Sequence, residues 1–459
     1  MLSAGLSELC IAQFENYFHR LRTGETGLIP ESEIQSVTGA TSFDSLSDLS
    51  SIGHSALGHT CIVKLNGGLG TSMGLDRAKS LLVARDSLSF LDIIIRQTLS
   101  LRETHSCSVP LVFMNSFRTE SDTEQALAAY RKFKVGQASI PSSFLQNKVP
   151  KLCQSSLSPV EYPQDVSLEW CPPGHGDIYT ALTQSGILDQ LHSEGFRYLF
   201  VSNADNLGAV LDLKILGYFA QNEIPLLMEV ADRTEADKKG GHLARTLDGQ
   251  LILRESAQCP ELDQASFQDI SRHRYFNTNT LWLNIDAVKE KMKNSGGVFS
   301  LPLIRNKKLT NPADPKSPPA YQLETAMGAA IALFPDSQII SIPRTRFAPV
   351  KKNEDLLTLR SDAFVLQKDY QLTLRPERGG APPVIELDSK FYQNVSDFEA
   401  RFPLGAPSLI DCEKLVIKGD VLFGTSVVIK GSVRIENLSS SQKQIPDGTV
   451  IDEDVVFRG

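Results

Sequence analysis

Residues 61–74 read CIVKLNGGLGTSMG, so an apolar segment passes directly into a turn with four glycines, and Lys79-Ser80 follow shortly after. Glycines let the backbone adopt positive φ and bring bare N–H groups against phosphate oxygens. A lysine nearby can neutralise the same phosphates. A glycine cluster alone is more typical of a simple turn, but a strand, a glycine turn and a lysine in this order predict a nucleotide-binding loop.

Two familiar phosphate-binding motifs are excluded by the same residues. The dinucleotide fingerprint GxGxxG, started at Gly68 and Gly70, would need a glycine at Met73. A P-loop ending in Lys79-Ser80 would need glycines at Met73 and Ala78. The failed fingerprint disfavours a dinucleotide-dependent dehydrogenase.

Short apolar runs alternate with longer amphipathic segments downstream of residue 60. The runs are residues 61–65, 111–114, 198–201, 225–230 and 281–285. Strands separated by helical stretches predict βαβ units, and therefore an α/β fold with a mixed, mostly parallel sheet. Ligands of such sheets bind beyond the carboxyl ends of the strands. Residues 322–326, QLETA, are expected to open an apolar helix.

Three regions are expected along the chain. Residues 1–57 form an N-terminal helical segment with a serine-rich end, residues 58–385 the catalytic domain, and residues 386–459 a C-terminal domain. The last region keeps apolar residues on a period of six, as in the series Leu415, Val421, Val427 and Val433. This period favours a parallel β-helix. A series of antiparallel hairpins is the alternative, because a period of two is also satisfied.

Four further segments carry polar residues with a possible chemical role. His175 lies in WCPPGHGDIY, a loop stiffened by prolines, where it either binds a ligand or caps a carbonyl. Asp205 ends the strand in YLFVSNADN and is suited to Mg²⁺, or to an ordinary Asx turn. Asn277 and Asn279 offer amides to sugar hydroxyls or to loop backbone. The cationic run RTRFAPVKK, residues 344–352, is either a phosphate clamp or a solvated face.

Composition limits the partners and the compartment. The formal net charge is −8 and no long basic run occurs, which argues against nucleic acid or an acidic membrane as partner. Seven scattered cysteines without a CxxC pair predict a reducing compartment and no zinc site. No segment approaches the roughly 20 apolar residues that cross a bilayer. A cytoplasmic location is therefore expected.

The chain resembles the eukaryotic-type UDP-glucose pyrophosphorylases over nearly its full length. The words that carry the resemblance are KLNGGLGTSMG, AKSLL, FLQNKVPKL, WCPPGHGDIYTAL, VSNADNLGA, FNTNTLWLN, YQLETAMGAAI and RFAPVKK. Two further words, DKKGGHLAR and RESAQCP, look most like the trypanosomatid branch. The resemblance implies a Rossmann-like nucleotidyltransferase domain and a C-terminal left-handed parallel β-helix.

The resemblance also implies a reaction and a set of site residues. UTP and glucose 1-phosphate would give UDP-glucose and pyrophosphate, with Mg²⁺ as cofactor and no covalent intermediate. A monomer is favoured. The residues carried over by motif are Leu65, Asn66, Gly67, Gly68, Gln146 and Gly174 for the nucleotide, His175, Asn203, Asn277 and Asn279 for the sugar phosphate, Asp205 for the metal, and Lys79 and Lys351 for catalysis.

Two alternatives remain at this level. A UDP-sugar or UDP-N-acetylhexosamine pyrophosphorylase would share the nucleotide loop and differ in the sugar pocket. A non-catalytic nucleotide-sugar sensor would be expected to lose the metal ligand or the lysines. Asp205, Lys79 and Lys351 are all present, which argues against the sensor.

Overall fold

The computed structural model describes residues 1–133 and 140–458. Its α-helices are α1 (Glu8–Arg22), α2 (Ser50–Leu57), α3 (Phe90–His105), α4 (Glu120–Leu127), α5 (Ile178–Gln184), α6 (Ile187–Ser193), α7 (Leu213–Gln221), α8 (Gln264–Gln268), α9 (Ile285–Asn294), α10 (Asn353–Arg360), α11 (Ser389–Tyr392) and α12 (Val395–Arg401).

The strands up to residue 374 are β1 (Ile34–Ser36), β2 (Thr41–Ser42), β3 (Thr60–Asn66), β4 (Val83–Arg85), β5 (Leu88–Ser89), β6 (Leu111–Asn115), β7 (Ser143–Leu145), β8 (Val149–Pro150), β9 (Leu152–Cys153), β10 (Trp170–Cys171), β11 (Tyr198–Asn203), β12 (Leu226–Asp232), β13 (His242–Thr246), β14 (Leu251–Arg254), β15 (Tyr275–Asn284), β16 (Ile304–Leu309), β17 (Pro319–Glu324), β18 (Gln338–Ser341), β19 (Phe364–Leu366) and β20 (Leu372–Leu374). The later ones are β21 (Val384–Leu387), β22 (Cys412–Lys418), β23 (Val421–Phe423), β24 (Val428–Ile429), β25 (Gly431–Asn437), β26 (Lys443–Ile445), β27 (Val450–Ile451) and β28 (Val455–Phe457).

The central sheet has the order β2-β18-β12-β15-β11-β3-β6-β7. All neighbours along this path are parallel except β15, which runs antiparallel to both β11 and β12. The predicted mixed, mostly parallel sheet is confirmed, and the five apolar runs lie within its strands β3, β6, β11, β12 and β15, extending past a strand end by no more than one residue. The chain reaches β15 through the β13–β14 hairpin and not through a single crossover helix, which accounts for the reversed direction.

Apolar clusters cover both faces of this sheet. Ile62 of β3 packs in the cluster on the α3 side, whereas Cys61 and Val63 pack in the cluster on the α5 side. A strand buried on both faces needs a nearly continuous apolar run, which is why β3 lacks a polar alternation. The register aligns Leu65 with Asn203 of β11, so the ends of neighbouring strands meet at one edge.

The N-terminal segment joins the rest of the chain. Helix α1 is present as expected, and β1 pairs with β13 while β2 pairs with β18 at the edge of the central sheet. The division at residue 57 stays a prediction. No α-helix opens at QLETA, contrary to the expectation: Gln322–Glu324 end strand β17, which pairs with β16, and Ala326 caps a 3₁₀ helix over Met327–Leu333. Pairing with β16 decides the strand here, and the sequence of QLETA alone does not show that partner.

Parallel pairs run through the C-terminal region. Strands β21, β22, β25 and β28 form one sheet, and β23–β26 and β24–β27 form two more. Leu415 faces Val433, two members of the predicted six-residue series. A series of hairpins would pair antiparallel, so that alternative is wrong. Within the described residues no helix is long and apolar enough to cross a membrane, and all seven cysteines are free thiols.

Candidate active site

A cleft of about 280 Å³ lies at the carboxyl ends of β3 and β11. Most of the residues singled out in the sequence line it. The lining residues are Leu65, Asn66, Gly67, Gly68, Lys79, Ser80, Met114, Gln146, Pro172, Gly174, His175, Asn203, Ala204 and Asp205.

The glycine-rich turn forms the floor of the cleft next to β3. The N–H of Lys79 donates to the carbonyl of Gly68 at 3.0 Å, which folds the lysine back over the turn. A Cβ on Gly67 would lie 3.0 Å from Oε1 of Gln146, so the backbone and this side chain approach closely. The Asn66 amide is engaged away from the turn: its Nδ2 donates to Asn115 Oδ1 at 2.8 Å. Asn66 therefore anchors the end of β3.

The WCPPGHGDIY loop forms the opposite wall. Gly174 has φ +78°, and a Cβ there would lie 2.4 Å from the carbonyl oxygen of Thr325, so only glycine fits. Gln146 Nε2 donates to the Gly174 carbonyl at 2.7 Å. His175 Nδ1 accepts from the Met327 N–H at 2.9 Å, which assigns its ring proton to Nε2. Burial and the charge of Lys351 lower the pKa of His175 to about 4, so the ring is neutral near pH 7.

Two lysines converge on Asp205. Its Oδ2 lies 3.0 Å from Lys79 Nζ and 3.6 Å from Lys351 Nζ. Lys79 also donates to the Val350 carbonyl. Burial alone would raise the pKa of Asp205, but Lys351 and Lys79 outweigh it and hold the pKa below its usual value. Asp205 is therefore an ionised carboxylate in the wall of the cleft.

Asp205 is also the residue that fits a cation. Its Oδ1 is buried and has no hydrogen-bond partner in the described residues. The described parts of the chain hold no group of three or more His, Cys, Asp or Glu side chains arranged for a metal. Mg²⁺ commonly takes only one or two protein carboxylates and completes its shell with water and substrate phosphates. One carboxylate with an unpartnered oxygen, in a cleft lined by the glycine-rich turn, fits that pattern.

Asn277 and Asn279 lie apart from the cleft lining. Asn277 Nδ2 donates to Asn279 Oδ1 at 2.9 Å, and the Asn279 N–H donates to Asn277 Oδ1 at 2.9 Å. Glu255 contacts Asn277 and was not singled out in the sequence; burial raises its pKa, against a hydrogen bond from Asn277 and the charge of Lys351. The charge of Lys351 lowers the pKa of His175 and of Asp205 and opposes the rise in the pKa of Glu255, so this lysine acts electrostatically on all three groups. The sequence signal that could have identified Glu255 was its position directly after strand β14.

The cationic run 344–352 does not act as one clamp. Arg346 is buried and donates from Nε and Nη2 to Glu229 at 3.0 and 2.8 Å, and Arg344 pairs with Asp237 at 2.8 Å. The prediction of a shared phosphate clamp is therefore wrong for both arginines, because each has a carboxylate of its own. Asn206, also missed, joins the run to the Asp205 turn: its Oδ1 accepts from Ala348 N at 3.0 Å.

Fold and cleft together define a class of protein, an α/β enzyme that handles phosphorylated nucleotides at the carboxyl edge of its sheet. The sequence model of the UTP–glucose-1-phosphate uridylyltransferase family matches residues 11–430, and the chain belongs to this family. The resemblance stated from the sequence words is confirmed.

Solved structures and curated relatives agree. A mutant UDP-glucose pyrophosphorylase from Leishmania major, in complex with UDP-glucose, is 44% identical with a TM-score of 0.93, and the match covers 99% of this chain and 97% of that one. A UDP-glucose phosphorylase from Trypanosoma brucei is 43% identical with a TM-score of 0.91, over 100% and 98% of the two chains. The Saccharomyces cerevisiae UTP–glucose-1-phosphate uridylyltransferase is 41% identical over 406 residues, 88% of this chain and 79% of its own length. These neighbours support the similarity to the trypanosomatid branch.

Proposed function

We propose that the chain catalyses reversible uridylyl transfer, in which UTP and glucose 1-phosphate give UDP-glucose and pyrophosphate. The observation that carries the proposal is the pair of lysines converging on Asp205 beside the glycine-rich turn, at 3.0 and 3.6 Å. Membership of the family and the UDP-glucose bound to the Leishmania major neighbour support the substrates.

The chemistry needs charge and orientation more than a base. A phosphate oxygen of glucose 1-phosphate attacks the α-phosphorus of UTP in line, and the P–O bond to pyrophosphate breaks. The nucleophile is already an anion, so no proton has to be removed. Lys79 and Lys351 offset the repulsion between two polyanions and stabilise the charge that develops at phosphorus. Asp205 would hold Mg²⁺, which when bound would supply further positive charge to the phosphate oxygens. His175 is neutral and offers Nε2–H as a hydrogen-bond donor.

The remaining roles follow the walls of the cleft. The main chain of residues 65–68, together with Gln146 and Gly174, binds the uridine. Asn203 contacts the sugar phosphate, and Asn277 and Asn279 face the hexose from strand β15. We further propose that the three C-terminal parallel sheets wind as a left-handed β-helix over residues 386–459, after a catalytic domain of residues 58–385. The protein acts as a cytoplasmic monomer.

A substrate panel tests the proposal. Pyrophosphate release from UTP is measured with glucose 1-phosphate, galactose 1-phosphate and N-acetylglucosamine 1-phosphate. The highest kcat/KM is expected with glucose 1-phosphate. Preference for N-acetylglucosamine 1-phosphate would indicate a UDP-N-acetylhexosamine pyrophosphorylase instead. Binding of UDP-glucose without turnover of any sugar 1-phosphate would indicate a non-catalytic sensor.

Asp205→Asn tests the metal site. The substitution keeps the shape of the side chain, so the protein should fold, but it removes the charge that both lysines and Mg²⁺ require. We expect most of the turnover to be lost, and EDTA to abolish the activity of the unsubstituted protein. If Asp205→Asn in the presence of EDTA were as active as the wild type is without EDTA, the assignment would be contradicted.

A further inference from the structure

Asn147 follows the base-contacting Gln146 and faces away from the cleft. Its N–H donates to Asp177 Oδ2 at 2.7 Å, and its Nδ2 donates to Oδ1 and Oδ2 of the same carboxylate at 2.9 and 3.1 Å. Both residues are 6% exposed. A buried carboxyl group that accepts three N–H bonds fixes the main chain of its donor firmly, because breaking them would leave its buried oxygens without hydrogen-bond partners.

The contact between Asn147 and Asp177 has a direct geometric consequence for Gln146. Gln146 Nε2 donates to the Gly174 carbonyl at 2.7 Å, and its main-chain N–H donates to the Asn115 carbonyl at 2.7 Å. Residues 146 and 147 therefore hold the two ends of one loop, Gly174 and Asp177. With Nε2 committed to Gly174, Oε1 of Gln146 is directed to the Gly67 side of the cleft.

A chain of hydrogen bonds continues from Asn147 to the N-terminal helix. Gln184 Nε2 donates to Asn147 Oδ1 at 2.6 Å, and Ser7 Oγ donates to Gln184 Oε1 at 2.6 Å. Ser7 is the N-cap of α1 and accepts the Cys10 N–H at 3.1 Å. The start of α1 is thereby tied, through two amide side chains, to the residue next to Gln146.

We propose that Asn147, Asp177 and Gln184 are positioning residues that orient Gln146 for the selection of uracil, and that α1 supports this orientation through Ser7. The inference rests on the proposed uridylyl transfer. None of the three contacts the nucleotide; each acts through Gln146. Loss of the arrangement affects the recognition of the base, which is bound in both the ground state and the transition state, so KM for UTP rises more than kcat falls.

The test compares kcat/KM for UTP and CTP, at saturating glucose 1-phosphate, in the wild type, Asn147→Ala and Asn437→Ala. Asn437 is a matched control: it is 7% exposed, and its Nδ2 donates to two carbonyls, of Asp420 and Ser441, in the C-terminal sheets. Asn147→Ala should reduce the preference for UTP over CTP by about tenfold or more, mainly through KM. Asn437→Ala should lower thermal stability and keep the preference within about twofold.

Gln184→Ala makes the test independent of folding, because Gln184 is exposed. It should reduce the preference in the same direction, by about two- to fivefold. If the preference for UTP over CTP is unchanged in Gln184→Ala and, where it folds, in Asn147→Ala, the inference is overturned. Turnover of UTP by the wild type would still support the proposed function in that case. A wild type without preference for UTP overturns the proposed function itself and this inference with it.

Discussion

The two lysines at Asp205 differ in how firmly they are held. The Lys79 side chain is 12% exposed and also donates to the Val350 carbonyl, so its ammonium has a fixed position. The Lys351 side chain is 58% exposed and lies at 3.6 Å from the same carboxylate oxygen. An incoming phosphate can therefore attract Lys351 without breaking a buried contact. We therefore propose that Lys79 acts as a fixed charge at the nucleotide, and Lys351 as the charge that follows the reacting phosphate.

Lys351→Ala should be folded and still bind UTP, but turn over slowly. The loss of one preorganised charged donor costs about 2.7–4 kcal/mol, roughly a hundred- to a thousandfold in kcat. Lys352→Ala is the control, since that neighbour is exposed and should be nearly normal. Steady-state kinetics of both variants, with circular dichroism to verify the fold, make the comparison. A kcat for Lys351→Ala within about threefold of the wild type would remove the residue from the catalytic machinery.

His175 gives the stability of the fold a predictable pH dependence. Its pKa is about 4 in the folded protein, against 6.5 without the burial and the nearby Lys351. Between pH 6.5 and pH 4 the unfolded chain gains a proton at His175 that the folded chain does not. The free energy of unfolding is therefore unaffected by His175 above pH 6.5, and it decreases as the pH falls towards 4, by at most about 3 kcal/mol. Urea unfolding at pH 7, 5.5 and 4.5 should show a weaker decline for His175→Gln. Parallel curves for the two proteins would contradict this.

At the scale of the elements, a buried ion pair joins the strands behind the cleft to the segment that carries Lys351. Glu229 of β12 is completely buried, and besides Arg346 it accepts the indole N–H of Trp282 on β15 at 3.0 Å. Arg346 also donates to the Val210 carbonyl at 2.8 Å, in the chain that follows Asp205. Strand β12, strand β15 and two active-site segments are thus held by one carboxylate.

Glu229→Ala should lower the free energy of unfolding by about 3–5 kcal/mol, because it leaves the Arg346 guanidinium buried without its partner. Arg274→Ala is the matched exposed control, because it breaks an ion pair with Asp232 in which the Arg274 side chain is 60% and the Asp232 side chain 49% exposed. Its loss should lower the free energy of unfolding by less than about 1 kcal/mol. Denaturant unfolding of both variants measures the difference. Similar decreases in the free energy of unfolding of the two variants would show that burial does not increase the cost of breaking the Glu229–Arg346 pair.

How far the sequence predicted these elements depends on the range of the contacts. Strand β3 and its glycine turn could be found because apolar content, positive-φ glycines and the following lysine are local signals. The roles of Arg346 and Asn147 could not, because Glu229 and Asp177 lie far away along the chain and only folding brings them together. Glu255 was missed for the same reason: its Asn277 partner belongs to another strand. Local pattern thus located the cleft, and long-range pairing decided which charged residues face it.

At the scale of the whole molecule, one apolar cluster extends from the central sheet into the C-terminal sheets. It contains Ile62 and Trp282 from the central sheet together with Tyr392, Phe423 and Ile451. Hydrogen bonds reinforce the contact: Asp362 accepts from Ser408 Oγ at 2.6 Å and from Leu409 N at 2.7 Å. A shared core of this kind couples the two regions energetically, so neither can lose its packing without exposing apolar surface of the other.

The chain should therefore unfold in a single transition, even though the sequence predicts a division between residues 385 and 386. Both tryptophans, Trp170 and Trp282, lie before that division, so fluorescence reports only the catalytic region. Asp362→Ala removes the acceptor of two hydrogen bonds from the C-terminal region and should cost about 1–3 kcal/mol. If the regions are coupled, the fluorescence midpoint falls together with the circular dichroism midpoint, and the calorimetric and van't Hoff enthalpies agree. The exposed Asp452→Ala should leave both midpoints unchanged. If the fluorescence midpoint is the same in Asp362→Ala as in the wild type, or if calorimetry shows a second peak, the C-terminal sheets fold as an independent unit.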